Sequence, residues 1–155
     1  MIMNSEMELL KKQLKEYESI IEELSAPIIP SIIPDTMLVP LLGTLTEQRF
    51  QHIQTKILGT AAVENADAVL VDFTGINLKD VNALGLQALG HQINQLRNAL
   101  DIMGVETIFV GFSPEFVRGI VTAGIDVGRF TIHATFRTAL RYLMNRKGLD
   151  FKSIK

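Results

Sequence analysis

The chain has 155 residues, a formal charge of −2, no cysteine and no tryptophan. That length suits one domain with a short appendage. Without cysteine there are no disulfides, no thiolate metal sites and no cysteine nucleophile. Without a basic excess there is no field to draw nucleic acid, and aromatics at 6% leave little for a base-stacking platform. No apolar run of about 18 residues is present, and the first 25 residues, charged throughout, hold no signal-like apolar stretch. The expectation is a soluble, cytoplasmic protein with no membrane or nucleic-acid partner.

Residues 1–25 hold six Glu, three Lys and neither Gly nor Pro. Met3, Met7, Leu10, Leu14, Tyr17, Ile21 and Leu24 follow one another at alternating spacings of 4 and 3. That narrow stripe is the a/d rhythm of a coiled coil, whereas a helix lying on its own domain usually shows a wider apolar face. Met7, Leu10, Leu14, Tyr17, Ile21 and Leu24 are therefore the candidate dimerisation residues. About three heptads are marginal alone, so the following domain should help hold a dimer.

Four of the five prolines fall between Pro27 and Pro40, which stops the helix and keeps the chain extended. A first strand is expected around Ile28 to Ile33 and a second at Met37 to Gly43, with Pro34-Asp35 at the turn. Thr46 to Ala62 reads as a helix capped by Thr46, with Phe50, Ile53, Ile57 and Leu58 on one face. Ala68 to Phe73 is a short, nearly all-apolar run that suits a buried strand. Val81 to Met103 carries Leu86, Leu89, Ile93, Leu96 and Leu100 at helical spacing and stops at Gly104. Glu106 to Phe112 is another buried strand. Ser113-Pro114-Glu115 starts a helix, with Ser as the cap and Pro in the first turn, and Gly124 ends it. A short strand at Phe130 to Ala134 and a helix at Thr135 to Arg146 follow. The division expected is a linker helix at 1–25, one domain at 26–147 and a frayed tail at 148–155. Strands alternating with helices indicate an α/β domain with a largely parallel sheet.

Signatures of enzymes are missing. Neither GxGxxG, nor GxxxxGK[ST], nor GxSxG occurs. His52, His91 and His133 lack ligand spacing, so no metal site is expected. Two strand-to-helix loops stand out: Asp72 to Leu84, where Asp80 or Asn82 could cap the long helix, and Gly111 to Glu115. Helix starts of this kind have free N–H groups that suit an anion or a phosphorylated residue, although ordinary capping accounts for the same residues.

The first of these loops resembles the signature of STAS domains, the anti-sigma-factor antagonists, with Asp72, Thr74, Gly75, Ile76 and Asp80 falling on it. Val110-Gly-Phe-Ser-Pro-Glu-Phe-Val117, then Ile120, Gly124, Ile125 and Asp126, resembles a later run of the same family. Glu23-Leu-Ser-Ala-Pro-Ile-Ile-Pro30 and Val39-Pro-Leu-Leu-Gly-Thr44 are similar to the junction where a dimerising linker helix enters the STAS domain of RsbR-type stressosome proteins, and of blue-light sensors that carry one. The resemblance implies an α/β SpoIIAA-like fold, a mixed, mostly parallel sheet of four to five strands preceded by a coiled-coil helix.

It also implies a non-catalytic module without cofactor. Such a module docks other STAS proteins of RsbS and RsbR type and an RsbT-type serine-protein kinase, in a partner-switching cascade of the bacterial general stress response. The kinase of such systems modifies a Ser or Thr directly after the second conserved Asp; here that position is Val81. A second Thr found in some RsbR-type proteins corresponds to Gly119. Neither residue can accept phosphate, so switching at the family's usual positions is not expected. The docking surface implied comprises Thr74, Asp80, Val81, Asn82, Ser113, Glu115 and Phe116, and exposed Leu78, Phe112 or Phe116 would support it. Binding of a nucleotide or other small ligand at the strand ends is the alternative; a transporter-type fragment is a distant third.

Overall fold

Alternating apolar residues in three short runs set the frame. The computed structural model describes residues 4–25, 27–31, 33–82 and 84–149, and of 18–25 the backbone alone. In chain order it contains α1 (Asn4–Ser25), β1 (Ile29–Pro30), β2 (Thr36–Leu42), α2 (Glu47–Glu64) and β3 (Ala68–Gly75). A 3-10 turn (Leu78–Val81), α3 (Leu86–Ile102), β4 (Glu106–Val110) and α4 (Pro114–Thr122) come next. A second 3-10 turn (Val127–Arg129), β5 (Thr131–His133) and α5 (Phe136–Arg146) complete it. The five strands lie in the order β1-β2-β3-β4-β5. β1 runs antiparallel to β2, and the other three pairings are parallel.

Side chains alternate across the sheet, as strand geometry requires. Val69, Val71 and Phe73 of β3 and Phe109 of β4 point to the face covered by α2, α3 and α4, where Phe50, Ile57, Leu89, Ile93, Leu96 and Ile120 bury against them. Ala68, Leu70, Ile108 and Val110 point the other way, onto Ala139, Leu143 and Met144 of α5 and onto Ile33. Three helices on one face and one on the other follow from the consecutive strand order. Crossovers of one hand put α2, α3 and α4 on the same side, and only α5, after the last strand, is left to fold over the second.

Several boundaries differ from the sequence expectation. The first strand shrinks from the expected Ile28–Ile33 to two residues, because the prolines at 27, 30 and 34 remove ladder donors; Ile32 lies outside the described residues. The chain then turns through Asp35, whose φ of +57° an aspartate tolerates, and Ser31 N–H closes the hairpin on the Thr36 carbonyl at 3.0 Å. β4 ends at Val110 rather than Phe112, since Gly111 at φ +82° leaves the extended region. The long helix begins at Leu86 rather than Val81. The segment before it winds instead as the tighter 3-10 turn and leaves it through Gly85 at φ +88°. The tail beyond Leu149 lies outside the described residues.

Charged bonds fasten α5 to the strand starts. Tyr142 donates to Glu106 Oε1 at 2.6 Å, and Arg146 reaches Glu106 Oε2 at 2.5 Å and the Tyr142 hydroxyl at 3.0 Å. Lys147 bonds Asp67 at 2.5 Å and Thr36 Oγ1 at 3.2 Å. The Glu106 bond, then burial, raise the Tyr142 phenol above its ordinary 10.0, with Arg146 opposing. A raised folded-state pKa means the folded protein favours the neutral phenol. The stabilisation is therefore complete below pH 10 and fades as alkali ionises the ring. Tyr142→Phe should cost about 1 kcal/mol in urea unfolding at neutral pH, and the gap to the native protein should narrow above pH 10. Equal stability of the two at neutral pH would refute the assignment.

Candidate functional site

The two singled-out loops meet at the C-terminal ends of β2, β3 and β4. The aromatic cluster beneath them is the reason they are held. Phe73 is 5.0 Å from Phe112 and 5.7 Å from Phe116 between ring centroids, and Phe112 and Phe116 are 4.9 Å apart. This floor ties the end of β3 to the first turn of α4. Above it, Gly111 packs so closely on Thr74 that a Cβ there would lie 2.3 Å from the Thr74 hydroxyl. Thr74 itself is exposed, and its N–H is held by Asp72 Oδ1 at 2.8 Å.

The loop after β3 is closed by a reciprocal pair. Asn77 N–H donates to Asp80 Oδ2 at 2.9 Å and Asp80 N–H donates to Asn77 Oδ1 at 3.1 Å. This is a capping box, but it caps the 3-10 turn and not the long helix, which was the role expected of Asp80 or Asn82. Asn82 sits exposed at the end of that turn. Ser113 does cap α4, accepting from Phe116 N–H at 3.1 Å, with Pro114 in the first turn. Such a cap is worth about 1 kcal/mol.

A third loop, unremarked as a site element in the sequence, completes this pole. Leu45 N–H donates to the Asp80 carbonyl at 2.7 Å. Arg49, from the first turn of α2, donates to the carbonyls of Leu42 and Thr44. Burial lowers the Arg49 pKa from its usual high value, and the nearby Asp80 carboxylate opposes that shift. Leu42 is 56% exposed and lies over Gly75, where a Cβ would fall 2.3 Å from its Cδ2. The only hint in the sequence was the Pro-Leu-Leu-Gly-Thr string, which carries no long-range contact on its face.

Of the residues assigned to docking, Thr74, Asn82, Ser113 and Glu115 are exposed and Asp80 is half-buried. Phe116 and Val81 are not surface residues: they retain 4% and 2% exposure. Phe112 is buried as well, and only Leu78 of the three expected apolar markers is exposed, at 37%. The phenylalanines turn inward because their rings pack against Phe73, Phe112 edge-on and Phe116 tilted. Val81 points into the core from a 3-10 turn whose tight winding rotates that side chain away from solvent. A hydroxyl introduced at Val81 would thus be buried in this conformation. Gly119 is half-buried, and a Cβ there would fall 2.4 Å from Leu86 Cδ1.

On α1, Met7, Leu10, Leu14 and Tyr17 are between 45% and 63% exposed. Met3 and the side chains of Ile21 and Leu24 lie outside the described residues. Among the described residues no helix is long and apolar enough to cross a membrane.

No protein-family model matches the chain. It is 32% identical over 132 residues to the RsbT co-antagonist protein RsbRB of Bacillus subtilis, a match covering 85% of this chain and 45% of that protein. It is 28% identical over 133 residues to a blue-light photoreceptor of Listeria monocytogenes, covering 86% of this chain and 48% of the relative. The chain thus spans less than half the length of these curated relatives. Among solved structures, a serine-to-glutamate variant of Moorella thermoacetica RsbS superposes with a TM-score of 0.65 at 13% identity, over 80% of this chain and 98% of the other. A chain of the stressosome, described as a signal integration and transduction hub, gives 0.65 at 15% identity, over 78% and 98%. The unphosphorylated anti-sigma factor antagonist SpoIIAA gives 0.53 at 16%, over 76% and 96%. With its consecutive five-stranded sheet and preceding helix, the chain has the STAS, or SpoIIAA-like, fold, and its homologues include RsbR-type co-antagonist proteins.

Proposed function

We propose that this chain is a non-catalytic, cytoplasmic RsbR-type STAS regulator. It dimerises through a linker helix at 1–25 and presents its STAS domain, 26–147, to other STAS proteins of RsbS and RsbR type. An RsbT-type serine-protein kinase is a further docking partner in a general stress response. The observation that carries the reading is the α1 stripe. Met7, Leu10, Leu14 and Tyr17 recur at a/d spacing and are all exposed in the single chain, so their apolar surface is available to a second copy. The exposed Thr74, Asn82, Ser113 and Glu115, clustered at one end of the sheet, support a docking face there. The co-antagonist relatives support the choice of partners.

Direct phospho-switching at the family's usual positions has no acceptor here. Val81 is apolar and buried, and at Gly119 any side chain meets Leu86. The chain then acts as a fixed, unswitched subunit whose contribution to an assembly is set by its abundance.

Light scattering tests this. The native protein alone should run as a dimer, and a Leu10→Asp/Leu14→Asp variant as a monomer, because burying a carboxylate in an a/d seam costs several kcal/mol. Mixed with an RsbS-type protein, the native chain should enter a much larger species. An unchanged mass in the variant refutes the helix role. A dimer that persists on mixing refutes the assembly role.

A further inference from the structure

The pole opposite the docking face holds a cleft of about 540 Å³ at the starts of β3, β4 and β5. That is the size range of small-molecule sites. Four cations, Arg97, Arg129, Arg146 and Lys147, line it against three carboxylates. Two of the cations are committed to structure: Arg146 is bound to Glu106 and Tyr142, and Lys147 to Asp67 and Thr36. The other two are not fully used.

The Arg97 side chain keeps only 12% exposure. It is held in place by Asp101 and by Asn98 Oδ1, each at 2.8 Å, and by the Phe130 ring, with its guanidinium carbon 5.8 Å from the ring centroid. Its Nε is buried with no hydrogen-bond partner among the described residues. A buried donor left unmade costs free energy, which a small turn of the guanidinium toward an acceptor in the cleft recovers. Arg129 reaches only Asp126, at 3.8 Å, with both side chains more than 70% exposed. A pair of that kind contributes little, so Arg129 is at liberty to turn onto a ligand.

We propose that this cleft binds the phosphate group of a small, polar phosphorylated molecule. Arg97 supplies a desolvated guanidinium in the cleft wall with one N–H unmade, and Arg129 an exposed second one. Guanidinium is the group best shaped to grip phosphate oxygens. The apolar residues of the lining, Val105 and Leu143, are themselves buried in the core. The cleft therefore offers its ligand charge and hydrogen bonds rather than an apolar slot. The site is separate from the docking face and takes no residue from it.

The experiment is an NMR titration of the full chain with pyrophosphate, against sodium chloride at matched ionic strength. Expected are saturable shifts of the Arg97 Nε–H and of the Glu106 and Thr131 amides, absent from the salt control. Arg129→Gln, at an exposed position, should weaken binding about tenfold. Arg97→Gln should abolish it if the fold survives; Arg129→Gln decides the matter if it does not. Unsaturating shifts that track the salt control overturn the proposal. So do shifts centred on Thr74 to Asn82 and Ser113 to Phe116, or unaltered affinity in Arg129→Gln.

Discussion

Phe73→Ala should lower the unfolding free energy by about 3–5 kcal/mol, a large share of the ~5–15 kcal/mol that holds a domain together. Phe73 is 2% exposed and stands between three other rings, those of Phe109, Phe112 and Phe116. Truncation removes its own burial, opens a cavity and strands the edge-on contact with Phe112. The cavity cannot be filled by a small shift, because β3 is hydrogen-bonded to strands on both sides. The damage should be directional. Amide exchange should accelerate at Ser113 to Val117 more than in α2, since α4 rests on these rings. Phe73→Leu, which keeps much of the volume, should cost clearly less. A Phe73→Ala protein within about 1 kcal/mol of the native one would mean the aromatic floor is not what joins the two loops.

Gly111→Ala is the second large effect. Two penalties coincide there. An alanine at φ +82° is strained by about 1–2 kcal/mol. Its Cβ would also press within 2.6 Å of Thr74 N and 2.8 Å of Thr74 Cα. Those atoms are backbone, so trimming the Thr74 side chain gives no relief, and β3 and the loop must separate. A total of about 3 kcal/mol or more is expected, with the Thr74 amide losing its exchange protection. Gly104→Ala is the matched control: φ is +78° but nothing lies within 4 Å of the new methyl, so only the strain remains. If the two variants lose the same stability in urea, the close approach of Gly111 to Thr74 does not matter energetically.

The sequence announces its helix starts best where a side chain satisfies its own backbone. Thr46 accepts from Arg49 N–H and Ser113 from Phe116 N–H, and both were legible as caps. The buried strands were legible for a related reason: runs such as Ala68 to Phe73 have no other place to go. The start of α3 was not. Val81 and Leu84 are apolar residues just ahead of the rhythm that starts at Leu86, and composition cannot tell a 3-10 turn from the first turn of an α-helix. What separates them is the Asn77–Asp80 box and the positive φ of Gly85, neither of which alters the spacing. The orientation of Phe112 and Phe116 was hidden too. Next to a loop an aromatic reads as a contact residue, and only the position of Phe73 beneath them turns them inward. The Arg49 tether was invisible, since it depends on the loop after β2 coming to rest beside Asp80.

The consecutive order of the strands bears on how the chain folds. Every strand pairs with its neighbours in sequence, so each parallel ladder closes after a single strand-helix-strand unit and none waits for a distant segment. The entropy of loop closure is met in similar instalments, which favours a fast transition for a sheet of this kind. During synthesis the sheet can grow outward from β2 one unit at a time as the chain emerges. α5 comes last, and until it docks, Leu70, Ile108 and Val110 have little cover besides Ile33. The nascent domain's period of greatest stickiness therefore falls after β5 has emerged, while α5 is still passing through the ribosome.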